Sequence, residues 1–88
     1  MDISIEISLY PLADQKFKSQ IWAFIKRLRN VDGLHVVTNG MSTQVFGDYD
    51  LAVNTVMAEI KQVHQTLNSA VFVVKFIGGD RRAPEAEI

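Results

Sequence analysis

The 88-residue sequence predicts an α+β fold: a four-stranded antiparallel sheet with two helices on one face, in the order β-α-β-β-α-β. Three observations carry that expectation. A strictly alternating apolar segment opens the chain, an Asn-Gly pair sits between two further strand-like runs, and two stretches of helical periodicity separate the strands. This is the split βαβ order of a ferredoxin-like sandwich, in which the first and third strands are central and the second and fourth lie at the edges.

Each element has its own signal. From Asp2 to Pro11, Ile3, Ile5, Ile7 and Leu9 point one way, and Ser4, Glu6, Ser8 and Tyr10 the other. Pro11 ends the strand because it cannot donate to a ladder. Asp14 reads as a cap or first-turn acid for a helix whose apolar stripe is Phe17, Ile21, Phe24, Ile25 and Leu28. Asp32-Gly33 stops it. Leu34 to Asn39 is the second strand, and Asn39-Gly40 the hairpin turn. Met41 to Gly47 is the third strand, with Met41, Thr43 and Val45 on one face and Ser42, Gln44 and Phe46 on the other. Asp48 or Asp50 caps a second helix with the stripe Val53, Val56, Met57, Ile60, Val63 and Leu67, closed by Asn68-Ser69. Ala70 to Ile77 is the last strand. Residues 1–77 thus form a single ferredoxin-like domain, and 78–88, with Gly, Pro and mixed charge, are expected to be a mobile tail.

Composition narrows the function. The chain is 48% hydrophobic and 22% charged, an ordinary globular balance. A net charge of -1 gives no footprint for a nucleic-acid backbone or an anionic membrane, so neither is expected as a partner. Without cysteine, thiol chemistry and cysteine-based metal sites are excluded, and the two His are too far apart in sequence to suggest a metal site. No metal, no cofactor and a cytoplasmic location are therefore expected.

Two helices cover one side of such a sheet. The other side collects Ser4, Glu6, Ser8 and Tyr10, then His35, Val37 and Asn39, then Ser42, Gln44 and Phe46, and finally Val71, Val73, Lys75 and Ile77. The apolar members make a patch large for a monomer, and a homodimer or homotetramer through the sheet would bury it. The polar members near the hairpin offer hydroxyl, amide and carboxylate groups for a small ligand. The candidate ligand-binding residues are Glu6, Ser8, Tyr10, Asn39, Ser42 and Gln44.

Each candidate has a structural competitor. Glu6 can pair across the strands with Lys75 instead of meeting a ligand cation. Trp22 lies beside the first helix stripe, where peripheral packing competes with ligand stacking. His35 and His64 read as surface histidines. The hydroxyl and amide row can be satisfied across a subunit interface and by water. Enzyme constellations are missing: the loop Pro11–Gln15 has neither the Gly nor the Arg of an acylphosphatase-like phosphate cradle, and no His is spaced to serve a Ser or Thr. An RNA-recognition surface would need a basic surround for Tyr10 and Phe46.

Against this background, Ile3-Ser-Ile-Glu-Ile-Ser-Leu-Tyr-Pro-Leu12 resembles the opening of the YkoF-like thiamine-binding proteins. Gly33-Leu34 and Asn39 to Asp48 resemble that family's Gly-Leu and Gly-x-x-Thr-x-x-Glu-Gly blocks, with Phe46 where the family has an acid. The resemblance spans residues 3–77 in element order. It implies a ferredoxin-like fold, homo-oligomers built through the sheets, and non-catalytic binding of thiamine or its hydroxymethylpyrimidine moiety. Ser, Asn and Gln complement an aminopyrimidine, and an aromatic ring can stack on it. The reading from another class is a structural or regulatory interaction module with no thiamine affinity.

Overall fold

The computed structural model describes residues 1–10, 17–67 and 69–82. Its elements are β1 (Asp2–Tyr10), α1 (Phe17–Arg29), β2 (His35–Thr38), β3 (Thr43–Asp48), α2 (Tyr49–Thr66) and β4 (Val71–Gly78). The strands form one antiparallel sheet in the order β2-β3-β1-β4, so β1 and β3 are central as the sequence predicts. The signals read at Pro11, Asp14 and Asn68 lie outside the described residues.

Alternation in β1 produces the core. Ile3, Ile5 and Ile7 are buried with Val45 of β3 under Phe24, Ile25 and Leu28 of α1 and Val56, Ile60 and Val63 of α2. Burying each such aliphatic side chain contributes about 1.5–3 kcal/mol. Asp48 caps α2 by accepting from the Leu51 N–H at 3.2 Å. The hairpin forms at Asn39-Gly40: Asn39 N–H donates to the Ser42 carbonyl at 3.1 Å, and Asn39 Oδ1 accepts from Met41 and Ser42 N–H at 2.8 and 3.1 Å. The side chain thus builds an Asx turn inside the hairpin.

Three positions depart from the periodicity. Met57 is half exposed, because α2 turns Ala52, Val56, Ile60 and Val63 inward, and small Ala52 carries the stripe back a turn. Phe76 points to the helix side of β4 but is 49% exposed, beyond what the helices cover. Phe46, assigned to the open face, is buried. Residues 78–82, read from the sequence as the start of a mobile tail, are joined to β1. Gly78 closes β4, Gly79 N–H donates to the Asp2 carbonyl at 2.9 Å, and Arg81 N–H donates to Ser4 Oγ at 2.8 Å. Ser4 Oγ in turn donates to the Gly79 carbonyl, and the Arg82 guanidinium sits 5.5 Å from the centre of the Phe46 ring. The segment 79–82 is therefore a strap over one end of the open face. Residues 83–88 lie outside the described set. No helix among the described residues is long and apolar enough to cross a membrane.

Candidate functional site

The six candidate residues divide between two places. Ser8, Asn39 and Ser42 line a cleft of about 600 Å³ between α1 and the β2–β3 hairpin. Glu6 and Gln44 line a smaller hollow of about 190 Å³ on the open face, beside Phe46, Ile77 and Arg81. Tyr10 lines neither among the described residues, and its ring is exposed at the end of β1.

Sheet register explains the second group. Glu6 stands directly between Gln44 on β3 and Lys75 on β4. Its carboxylate lies 3.4 Å from Lys75 Nζ and accepts from Ser42 Oγ at 3.0 Å. The cross-strand ion pair foreseen for Glu6 is therefore formed, on a face open to water. Such an exposed pair is worth at most about 1 kcal/mol. With both oxygens engaged, Glu6 organises its neighbours before it meets any ligand.

The larger cleft has the lining a small organic molecule needs. Ile7 and Leu9 from β1 and Ile21, Trp22 and Phe24 from α1 give an apolar wall. Thr38, Asn39 and Thr43 from the hairpin line it with hydroxyl and amide side chains, while the Ser42 hydroxyl is spent on Glu6 across the sheet. Clefts of about 300–1,000 Å³ with apolar walls and a few fixed polar groups are the usual form of ligand sites. The hairpin holds its polar groups rigidly. Thr38 Oγ1 and Thr43 Oγ1 are 2.7 Å apart across the strands, and the Asn39 carboxamide oxygen is fixed by the turn, which leaves its NH2 as the donor. Trp22 is half exposed against this cleft, not packed into the core.

The sequence reading missed Thr38 and Thr43 as lining residues, and gave Trp22 ligand stacking only as the competitor of peripheral packing. Thr38 and Thr43 belong to the core face by alternation, so parity assigned them to packing. The available signal was their place at the strand ends, beyond the helix cover, where a buried-face hydroxyl has no apolar partner. Of the histidines, His64 Nε2 lies 2.9 Å from the Ala70 carbonyl and its ring meets Phe72 edge-on, while His35 lies beside Phe46. Neither lines either cavity.

No family model matches the chain, and no curated protein matches it significantly. Solved structures do. Protein SP2199 from Streptococcus pneumoniae superimposes with a TM-score of 0.83 at 18% identity, covering 99% of this chain and 97% of that one. The Methanocaldococcus jannaschii protein MJ1052, of unassigned function, gives 0.75 at 22% identity over 98% and 89%. TM0486 from Thermotoga maritima, provisionally assigned to thiamine biosynthesis or salvage, gives 0.78 at 16% identity over 98% and 95%. At these identities the likeness is one of fold, and it sets this chain among ferredoxin-like α+β proteins.

Proposed function

We propose that this chain is a non-catalytic small-molecule binding protein whose ligand is thiamine or its hydroxymethylpyrimidine moiety, held in the cleft between α1 and the hairpin. The observation that carries the reading is the pairing of an exposed Trp22 face with the Thr38, Asn39 and Thr43 polar groups across about 600 Å³. An aminopyrimidine offers a π-face to stack and ring nitrogens and an amino group to hydrogen-bond. The thiamine assignment of TM0486 supports the ligand class.

The same proposal includes a homo-oligomer joined through the sheet. Val71, Val73 and Ile77 stand in a row on the open face of β4, 39–50% exposed, on a strand at the edge of the sheet. That row also favours a second reading, an interaction module with no ligand.

Trp22 is the chain's one tryptophan, so the cleft carries its own reporter. Thiamine and hydroxymethylpyrimidine should change Trp22 fluorescence and give heat in calorimetric titration. Ligand at 100 times its Kd should stabilise the fold by about 2.7 kcal/mol. Trp22→Ala, at a half-exposed position, should fold normally and lose most of the affinity. Silence from wild-type protein with both compounds would leave the interaction module as the surviving reading.

A further inference from the structure

Resting on the cleft reading above, we infer that the preferred ligand is a phosphate monoester of the aminopyrimidine class, with Lys18 as the residue that selects it. The cleft's electrostatics carry the inference. Lys18 is the sole charged side chain among the described lining residues. It stands one helical turn from Trp22, on the exposed face of α1, and none of the ion pairs among the described residues involves it. Lys26 and Arg29 extend the same exposed face, whereas Arg27 is neutralised by Glu59 at 2.6 Å. Among the described residues, therefore, the charge at the cleft is the Lys18 ammonium group, with no carboxylate paired to it.

That sign matters for the choice of ligand. Free thiamine carries a thiazolium cation, which an ammonium group in the same cleft disfavours. Hydroxymethylpyrimidine is neutral and gains nothing from it. A phosphate on either molecule gives Lys18 a charge-assisted partner. The Thr38, Asn39 and Thr43 groups remain for the ring, so the two halves of such a ligand meet separate parts of the cleft.

The test titrates hydroxymethylpyrimidine, hydroxymethylpyrimidine phosphate, thiamine, thiamine monophosphate and inorganic phosphate, each followed by Trp22 fluorescence and calorimetry. The phosphorylated compound should bind about tenfold more tightly than its parent. The advantage should shrink as salt is raised. Lys18→Gln, at an exposed helix position, should abolish the advantage of each phosphate over its parent and relieve the disfavour toward thiamine, while Lys18→Arg should retain both. Equal binding of parent and phosphate, or a ratio unmoved by Lys18→Gln, overturns the inference but leaves the aminopyrimidine reading standing. Inorganic phosphate binding as tightly as the phosphorylated pyrimidine also overturns it, since the cleft would then read only the anion. No binding of any compound removes the reading on which the inference rests, and the inference with it.

Discussion

Glu6 and Phe46 lie on the same open face, and their surroundings set opposite demands on a side chain. Glu6 is held by Ser42 and Lys75 but remains in water. Replacing Lys75 by Met should therefore lower stability by no more than about 1 kcal/mol in urea denaturation. This pair was legible in the sequence, because alternation and antiparallel pairing together put positions 6 and 75 opposite each other on one face. The burial of Phe46 was not legible. Beside its cross-strand neighbour His35, Phe46 meets Arg82, a polar residue distant in sequence, and no periodicity connects the two. Asp80 sets the strap. The Arg82 backbone N–H, and then its guanidinium, donate to the Asp80 carboxylate and hold its pKa below the usual Asp value. A carboxylate whose folded pKa is depressed contributes its stability above the unfolded pKa and loses it as pH falls through the lowered value. Acidification through that range should release Arg82 before the domain unfolds, seen as shifts of the Arg82 amide and Phe46 ring resonances. Asp80→Asn should remove that acid transition.

Between elements, the decisive contact is made by two glycines. Gly33 turns the chain from α1 toward β2 with φ at +91°, a conformation that side chains other than glycine adopt at a cost. Its carbonyl oxygen lies 2.7 Å from where a Cβ on Gly47 would stand, and Leu34 Cδ2 lies 2.8 Å from the same point. Both glycines belong to the blocks on which the family resemblance rests, and here they meet each other. Their spacing therefore reports a packing requirement where β3 passes the α1–β2 turn, not a ligand contact. Gly47→Ala must push the Gly33 backbone aside and should cost about 1–3 kcal/mol in thermal or urea unfolding, with the cleft residues unmoved. Element type and order were readable because each depends on local period and local breakers: the alternating isoleucines, Asn39-Gly40, and Asp48 before α2. Coverage was less readable, since it depends on where a helix ends in space. Phe76 and Met57 fit the apolar pattern and still meet solvent, and Thr38 and Thr43 fit the core face and still line a cleft.

For the whole molecule, the open face and the edge strand β4 are the surfaces that the proposed homo-oligomer would use. The exposed Val71, Val73 and Ile77 row would be covered in a homo-oligomer joined through the sheet, and an aspartate at its centre would then be buried without a partner. Val73→Asp should therefore shift the protein toward monomer in sedimentation velocity, with the helical circular dichroism retained. A wild-type protein that sediments as a monomer at micromolar concentration would remove the oligomer from the proposal. The placement of β1 has a further consequence, for synthesis. Of the four strands it is made first, yet it is hydrogen-bonded to β3 on one side and to β4 on the other. Met1 and Asp2 carbonyls accept from Tyr49 and Gly79, so even the first residues are tied to distant parts of the chain. Contacts this remote in sequence slow folding relative to a helical protein of equal length. Until β4 has been made, β1 lacks one of its two strand neighbours and keeps a row of unpaired backbone groups, a nascent chain that waits on β4 and offers chaperones an open strand edge for as long as it waits.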